Sequence, residues 1–457
     1  MDPSIFKAYD IRGVYPGEIN EEDVEKIAKA FYTFVVEKIG GSKPPKIVLS
    51  YDGRLSSPAL VEQAKKALVS SGAQIIDIGL SGTPTFYFSI YHYDYDAGIQ
   101  ISASHNPKEY NGVKLALRQG SQVTKLGEGT GLERIKEIVL GEKFEKLGHA
   151  GKVTHGGDVI EAQIEKALKI TQSTGINDLK IVADAANATG ALYLEALFKK
   201  LPCKLVKMNF EIDGNFPAHK PDPSEFETLA ELGKKVVSEG ADLGIAPDGD
   251  SDRVFFVDEK GEVIPASVTT ALIARELLKK HPGAKIGFDV RSTLNGIHAV
   301  KENGGVPLVS RIGNPFASEI MKKEAAIFFG ENSGHFIFKD TNYLEDPITV
   351  VLIFLSVISR EGNPISEILK PLSVSYQSDQ LNPRIGNINR VIQVLQEKYS
   401  DGKANFIDGL SIDFTDWRFN IRPSNTEPVV RLNVEALDKR LMEEKRDEII
   451  ELIKANS

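Results

Sequence analysis

Residues 46–54 read KIVLSYDGR, and two later stretches repeat their pattern. Residues 180–188 read KIVADAANA, and residues 285–293 read KIGFDVRST. Each stretch begins with Lys-Ile, continues as a short apolar strand and reaches an aspartate near the strand end. Apolar strands that alternate with helical patterns are typical of α/β chains.

A second apolar strand follows each of these stretches and runs into a polar loop. The three second strands lie in DAGIQISASHNP at 96–107, ADLGIAPDGDSDR at 241–253 and AAIFFGENSGH at 325–335. Any parallel strand of an α/β chain is apolar and ends in a turn, so one match alone carries little weight. Because both members of each pair recur in order, we predict three copies of one α/β unit, each presenting one loop.

Local patterns predict individual elements on either side of these repeats. In the first copy we predict a helix capped by Asn20 and reaching Lys38, a strand at 46–50, a helix at 58–71 and a strand at 74–78. After about residue 372 the sequence predicts helices at 388–398 and 438–455, a turn at Asp408-Gly409 and two strands flanking RPSNTEP. The predicted fold class is therefore α/β, with three similar α/β domains containing mixed sheets plus a smaller C-terminal α+β domain around a central cleft. The predicted domain ranges are 1–150, 151–257, 258–370 and 371–457.

The composition excludes several classes of protein. The 457 residues are 41% hydrophobic and 26% charged, with a formal net charge of −9, which argues against a nucleic-acid partner. The only cysteine, Cys203, excludes an intramolecular disulfide and a cysteine-rich metal site. The N-terminus lacks signal-peptide features, and the apolar run Ile348–Ile358 is too short to span a bilayer and predicts a buried helix. We expect a cytoplasmic enzyme without a membrane partner.

The loop PDGDSDR at 247–253 carries the most specific chemical signal. Asp248, Asp250 and Asp252 alternate, so three carboxylates offer hard oxygen ligands to a divalent cation, Mg²⁺ in particular. An EF-hand is disfavoured because Arg253 occupies the position where that loop needs glycine. A solvated acidic turn is disfavoured because apolar strands enclose the loop, and clustered carboxylates repel one another without a cation.

Three further loops carry groups that could take part in chemistry or bind a ligand. In SASHNPKEYNGVK at 102–114, Ser104 could attack or carry phosphate, although such a sequence alone is more often an ordinary turn. In GENSGH at 330–335, Glu331 and Ser333 could bind hydroxyls and His335 could titrate near neutral pH. In RPSNTEPVVR at 422–431, two arginines suit phosphate, while a hairpin turn with surface arginines is the alternative.

Together these loops resemble those of the α-D-phosphohexomutase superfamily, in the family's order and nearly from end to end. FKAYDIRG at 6–13 is similar to the segment by which that family places a tyrosine and an arginine near the active serine. The resemblance implies a phosphoserine at Ser104, which also belongs to the metal site. It implies Mg²⁺ ligands at Asp248, Asp250 and Asp252, further catalytic residues at Arg12, His105, Lys114, Arg253 and His335, and substrate contacts at Tyr9, Glu331, Ser333, Arg422, Ser424, Asn425, Thr426 and Arg431.

Two stretches resemble the phosphomannomutase/phosphoglucomutase branch of the superfamily more than the phosphoglucosamine branch. They are DGNFPAHKPDPSEFETL at 213–229 and FKDTNYLEDPI at 338–348. ISASHNP at 101–107 suits phosphoglucosamine mutases equally well. Arg291 stands where many members have lysine, and Gly313-Asn314 where the mutases often have Gly-His, so these positions bear on the choice of sugar.

The resemblance implies interconversion of hexose 1-phosphate and hexose 6-phosphate, with hexose 1,6-bisphosphate as activator and intermediate. Lys114 and His335 are the candidates for proton transfer, and the assignment between them is open. The alternatives are a phosphoglucosamine mutase, a Mg²⁺-dependent sugar phosphatase and a non-catalytic sugar-phosphate sensor. The expected partner is a small phosphosugar, and the chain is expected to be a monomer or a homodimer.

Overall fold

The computed structural model describes the chain except residues 41–42, 146–149, 174, 424–428 and 457. The chain divides into two compact units, and each is described by itself. Unit 1 contains Met1–Val263 and Asp340–Pro364, and unit 2 contains Ile264–Lys339 and Ile365–Ser457.

The first sheet of unit 1 has seven strands. In chain order its elements are β1 (Ile11–Val14), α1 (Glu21–Ile39), β2 (Lys46–Tyr51), α2 (Ser57–Ser71), β3 (Gln74–Leu80), α3 (Thr83–His92), β4 (Ala97–Ile101), β5 (Tyr110–Gln119), β6 (Gln122–Lys125), α4 (Leu132–Gly141) and β7 (Lys152–His155). The strand order is β1-β5-β4-β2-β3-β7, and β6 pairs with β5. Strands β7, β3, β2 and β4 run parallel, whereas β5 is antiparallel to β4 and β1.

The second sheet of unit 1 has five strands. Its elements are α5 (Val159–Thr171), β8 (Lys180–Asp184), α6 (Gly190–Phe198), β9 (Lys204–Met208), α7 (Ala230–Glu239), β10 (Leu243–Pro247), β11 (Val254–Val257) and β12 (Val263–Ile264). The order is β12-β11-β10-β8-β9, with β8 parallel to β9 and β10 and with β10 antiparallel to β11.

The third group of elements begins with α8 (Ala266–Lys280), β13 (Lys285–Asp289), α9 (Leu294–Glu302), β14 (Val306–Ser310), α10 (Asn314–Glu324), β15 (Phe328–Gly330) and β16 (Phe336–Phe338). In unit 2, β14 and β15 lie parallel on either side of β13, and β16 is antiparallel to β15. The chain then contributes β17 (Leu344–Glu345) and α11 (Pro347–Glu361) to unit 1.

The fourth sheet belongs to unit 2 and is antiparallel. Its elements are α12 (Ile365–Leu369), β18 (Tyr376–Gln377), α13 (Ile388–Lys398), β19 (Lys403–Asn405), β20 (Leu410–Asp413), β21 (Trp417–Pro423), β22 (Val430–Ala436) and α14 (Lys439–Ala455). The order is β18-β22-β21-β20-β19. The smaller α+β character predicted for the C-terminal part is confirmed.

The sheets built by the three repeated stretches share one topology. The series β3-β2-β4-β5, β9-β8-β10-β11 and β14-β13-β15-β16 each contain three parallel strands followed by an antiparallel one. The predicted repeat of an α/β unit is therefore confirmed, as is the mixed character of the three sheets. The polar loops that follow β4, β10 and β15 leave their sheets at equivalent positions, which explains why chemistry-bearing residues recur there.

Local signals account for several helix ends. Asn20 accepts hydrogen bonds from the N–H groups of Glu22 and Asp23, while the Asp23 carboxylate accepts one from the Asn20 N–H, so the predicted capping box is present. α11 is buried along almost its whole length, as the apolar run predicts. Among the described residues no single helix is long and apolar enough to cross a bilayer. Only Pro347–Glu361 and Ile365–Leu372 taken together reach that length and composition.

Candidate active site

Ser104 follows β4, and its backbone and hydroxyl are both held. Its φ is +50°, a left-handed conformation that residues other than glycine rarely adopt, and the residue is 2% exposed. Its N–H donates to Ser102 Oγ at 3.0 Å. Its hydroxyl lies 3.0 Å from Asp248 Oδ2 and 3.1 Å from His105 Nδ1. The first and second sheets thus bring the predicted serine and the first predicted metal ligand into direct contact.

The loop after β10 buries Asp248, Asp250 and Asp252 together. One oxygen from each carboxylate lies within 4.8 Å of the others. Burial and the charges of the two neighbouring carboxylates raise the pKa of Asp248 well above its ordinary value. Asp250 Oδ1 is buried and accepts no hydrogen bond from the part of the chain that the structure describes. Three carboxylates that repel one another, together with the buried Asp250 Oδ1 to which no described group donates, fit a bound divalent cation.

Lys114, on β5, supplies a cation to the same cluster. Its Nζ donates to Asp250 Oδ2 at 2.5 Å and to Asp252 Oδ2 at 2.8 Å. Burial disfavours the charged ammonium, but the two carboxylates outweigh that effect and raise the pKa of Lys114 well above its ordinary value. The hydroxyls of Thr83 and Ser102 also lie 2.6 and 3.2 Å from Asp250 Oδ2. Lys114 is therefore a cation in this arrangement.

Two predicted arginines belong to the same part of unit 1. Arg12, on β1, pairs with Asp10 at 2.7 Å and donates to Ala103 O at 3.2 Å, beside Ser104. The Arg253 N–H donates to Asp248 Oδ1 at 3.2 Å, and its guanidinium lies 3.9 Å from Asp248 Oδ2. Tyr9 precedes β1, and 43% of it is exposed.

Sequence reasoning missed Asp52 and Arg54, which follow β2. Asp52 accepts hydrogen bonds from the Ala103 N–H at 3.3 Å and from Ser57 Oγ at 2.6 Å. The fully buried Arg54 side chain bonds to the backbone of residues 104–110. A signal was present, because Asp-x-Arg occurs at 52–54 in the first copy and at 289–291 in the third.

In unit 2, the predicted residues Glu331, Ser333 and His335 form one hydrogen-bonded group after β15. Glu331 Oε2 lies 2.8 Å from His335 Nδ1 and 3.1 Å from Ser333 Oγ, while Glu331 Oε1 accepts the Gly313 N–H at 3.2 Å. Burial alone would raise the pKa of Glu331. The hydrogen bond and charge of His335, with the charge of Arg291, instead lower it to about 2. Glu331 is a buried carboxylate at neutral pH.

Arg422 and Arg431 face each other across β21 and β22. Arg422 is 9% exposed, and among the described residues its buried Nε has no hydrogen-bond acceptor. Burial and the positive charges of Arg291 and Arg431 lower the pKa of Arg422 to about 10. Two guanidinium groups on directly paired residues at this strand end repel each other, and an anionic ligand between them would be stabilised. Ser424, Asn425 and Thr426, also predicted here, lie outside the described residues.

Four family models match consecutive parts of the chain. Phosphoglucomutase/phosphomannomutase alpha/beta/alpha domain I matches residues 3–145, domain II matches 161–261 and domain III matches 266–376. The C-terminal domain of the same family matches residues 382–452. These matches cover most strands of all four sheets described above; β7 and β12 lie between the matched ranges.

Individual relatives align over nearly the whole chain. A phosphomannomutase of Salmonella montevideo is 36% identical over 98% of this chain and 98% of the relative. A protein of Xanthomonas campestris pv. campestris (strain B100) named "Phosphohexose mutases" is 34% identical over 98% of this chain and 99% of the relative. The crystal structure of a phosphoglucomutase/phosphomannomutase family protein from Burkholderia thailandensis superposes with a TM-score of 0.89 at 32% identity, covering 100% of this chain and 98% of that one.

Proposed function

The chain belongs to the phosphoglucomutase/phosphomannomutase family and is an intramolecular phosphotransferase, and from this premise we propose that it interconverts the 1-phosphate and the 6-phosphate of mannose or glucose through phosphate carried on Ser104. The observation that carries the proposal is the contact of the buried Ser104 hydroxyl with the buried aspartate cluster. A serine that only closed a turn would have no reason to lie against the first of three clustered carboxylates, whereas a phosphate carrier needs a cation there.

The proposed reaction has two transfers. Phosphoserine 104 passes its phosphoryl group to the 6-hydroxyl of a hexose 1-phosphate, so a new P–O6 bond forms, the bond to Ser104 Oγ breaks and the hydroxyl proton leaves O6. The product, hexose 1,6-bisphosphate, then binds in the opposite sense. Its 1-phosphoryl group returns to Ser104, so a P–Oγ bond forms and the P–O1 bond breaks. Ser104 Oγ, protonated when its phosphate left, gives up that proton and O1 takes one up, which leaves hexose 6-phosphate and the phosphorylated enzyme.

Residues of unit 1 are proposed to stabilise the transferring group. Asp248, Asp250 and Asp252, with an oxygen carried on Ser104, would hold Mg²⁺, which when bound neutralises charge on a phosphoryl group. Because Lys114 is held as a cation by two of these aspartates, we propose that it contacts a phosphoryl oxygen or donates a proton rather than acting first as a base. The remaining family positions, Arg12, His105 and Arg253, would orient Ser104 and its phosphate.

Residues of unit 2 are proposed to bind the sugar and its other phosphate. Glu331 and Ser333 would accept and donate hydrogen bonds to sugar hydroxyls, and His335, held at Nδ1 by Glu331, would assist proton transfer. Arg422 and Arg431, with Ser424, Asn425 and Thr426, would bind the phosphate that is not transferred. Tyr9, a residue of unit 1, would complete the substrate contacts. The proposed ranges 1–150, 151–257, 258–370 and 371–457 thus bear the phosphoserine, the metal, the sugar contacts and the phosphate contacts.

A product assay tests this function. The enzyme is incubated with Mg²⁺, catalytic glucose 1,6-bisphosphate and the 1-phosphate of glucose, mannose or glucosamine in turn. We expect hexose 6-phosphate from glucose and mannose 1-phosphates at rates well above that from glucosamine 1-phosphate, with little free phosphate. Release of free phosphate in place of hexose 6-phosphate would indicate a phosphatase and overturn the proposal.

A further inference from the structure

We propose that Arg54 is a positioning residue for phosphoryl transfer, holding the backbone of residues 104–110 so that Ser104 Oγ points at the aspartate cluster. The inference rests on the proposed role of Ser104 as phosphate carrier. It adds a second residue, Arg54, which follows the neighbouring strand β2. Arg54 affects the reaction only by holding the loop that carries Ser104.

All five N–H groups of the Arg54 guanidinium have an acceptor. Nε donates to Asp52 Oδ2 at 3.1 Å. Nη1 donates to the carbonyl oxygens of Pro107 at 2.6 Å and Tyr110 at 3.0 Å, and Nη2 to those of Ser104 at 2.8 Å and Asn106 at 2.6 Å. Because a guanidinium has five N–H donors, none remains for a substrate. The side chain therefore acts on backbone geometry and not on a ligand.

The loop needs such a partner because several of its carbonyl groups point towards the same place and no described helix or strand pairs them. Buried carbonyl oxygens must be paired, and one arginine pairs four of them. One of the four belongs to Ser104, whose left-handed φ of +50° must be imposed by its surroundings. The same carbonyl oxygen lies against Gly249 of the aspartate loop, where a Cβ would clash with it. Holding Ser104 O thus fixes the serine against the loop that carries Asp248 and Asp250.

The second domain of unit 1 covers the other side of Arg54. The Phe216 ring centre lies 5.3 Å from the guanidinium carbon. A Cβ on Gly214 would clash with the backbone of Gly53 and Arg54, so the two chain segments are in close contact there. Arg54 is 1% exposed, and hydrogen bonds from a charged donor shielded from water are strong. The hydrogen bonds from Arg54 to the carbonyl groups of residues 104–110, which we call the carbonyl clamp, are consequently rigid.

The third copy shows that an Asp-x-Arg pair does not by itself hold a loop in this way. Arg291 donates to Asp289 Oδ1 and Oδ2 at 2.9 and 2.6 Å, and its Nη2 reaches Ser333 Oγ at 3.4 Å. These are side-chain acceptors, whereas four of the five Arg54 acceptors are backbone carbonyls. The carbonyl clamp accompanies the copy that carries the proposed phosphoserine.

The test compares Arg54→Lys and Arg54→Ala with Arg118→Ala. Arg118 is a matched control because it also donates to three backbone carbonyls, those of Asp94, Tyr95 and Gly120, in connections between elements of the first sheet and away from Ser104. We expect both Arg54 variants to lose about a hundredfold in kcat with KM changed little, because misplacing a reacting group by about 1 Å costs that much. Arg118→Ala should keep wild-type kcat.

Millimolar guanidinium chloride should restore part of the kcat of Arg54→Ala, whereas ammonium should not.

Two controls keep the outcomes distinct. Mass measurement of the peptide that contains Ser104, after incubation with glucose 1,6-bisphosphate, establishes whether wild-type Ser104 carries phosphate; absence of phosphate there overturns the proposed function itself. With wild-type Ser104 phosphorylated, unchanged kcat in a folded Arg54→Lys protein, or a kcat loss that guanidinium and ammonium restore equally, overturns the role of Arg54. If Arg54→Ala does not fold, Arg54→Lys decides alone, because it keeps the positive charge beside Asp52.

Discussion

At the scale of single residues, charge balance determines what the aspartate cluster can bind. Of the three buried carboxylates, those of Asp250 and Asp252 accept hydrogen bonds from the ammonium of Lys114, while Asp248 accepts one from the Arg253 N–H. Burial, together with repulsion by the carboxylates of Asp250 and Asp252, raises the pKa of Asp248. A divalent cation relieves this repulsion, and that is the physical basis for proposing Mg²⁺ at these residues.

Asp250→Asn should therefore lower activity and weaken its dependence on Mg²⁺. The substitution removes one of three carboxylate charges, and loss of such stabilisation should cost roughly a hundredfold or more in kcat. The measurement is turnover after chelation, as Mg²⁺ is added back. Asp258→Asn is the control, because Asp258 accepts N–H groups of Lys260 and Glu262 in a turn outside the cluster. Full activity with unchanged Mg²⁺ dependence in Asp250→Asn would refute the metal assignment.

Glu331 gives a second prediction, on stability against pH. Its pKa falls to about 2 in the folded chain, so its charged form is stabilised there. That contribution, at most about 3 kcal/mol, is complete above the unfolded pKa near 4.5 and is lost as the pH falls towards 2. Glu331→Gln should lower the unfolding free energy at pH 7, and the difference from wild type should shrink by pH 3.

The only tryptophan, Trp417, lies in β21 of unit 2 and reports this unfolding by fluorescence in urea. Glu302→Gln, which changes an exposed carboxylate at the end of α9 in the same unit, serves as the control. A stability difference for Glu331→Gln that is the same at pH 3 and pH 7 would contradict the assigned coupling.

At the scale of elements, strongly patterned segments were predictable and weakly patterned ones were not. α13 occupies the predicted residues 388–398, because its apolar residues recur at helical spacing. β7 was not predicted, since all four of its residues are exposed and only pairing with β3 makes them a strand. β18, two residues long, likewise forms through its pairing with β22. Tertiary contacts, which a single sequence does not display, define such strands.

The same contrast holds for the site. Ser104 and the aspartates were predictable because each loop begins where an apolar strand stops. Arg54 was missed because its acceptors are backbone carbonyls, and carbonyl groups carry no sequence signature. The loop that Arg54 binds follows a different strand, β4, so this contact is visible only once the sheet has folded.

The capping box of α1 gives a prediction at this scale. Asn20→Ala removes the acceptor for two N–H groups at the start of the helix and should cost about 1 kcal/mol of stability. Asn20→Ser, which keeps a side-chain oxygen, should recover most of that loss. Thermal unfolding of the three proteins measures the effect, and equal stability of Asn20→Ala and wild type would show that the cap contributes nothing.

At the scale of the whole molecule, four family matches from residue 3 to residue 452 identify an intramolecular phosphotransferase. The order of the four loops along the chain is what made this family recognisable from sequence. The choice of sugar depends on finer features, since mannose and glucose differ only in the configuration of one hydroxyl. Positions such as Arg291 and Gly313, which contact the Ser333–Glu331 group, are where that choice is expected to be made.

The central claim is that phosphate passes through Ser104. Wild-type protein treated with glucose 1,6-bisphosphate that carries labelled phosphate, and then digested, should show the label on the peptide containing Ser104. A chase with unlabelled hexose 1-phosphate should remove the label at the rate of turnover. Ser104→Ala should bind the sugar phosphate but show no mutase turnover. Mutase turnover at the wild-type rate in Ser104→Ala, or phosphate acquired at another residue, would contradict the account.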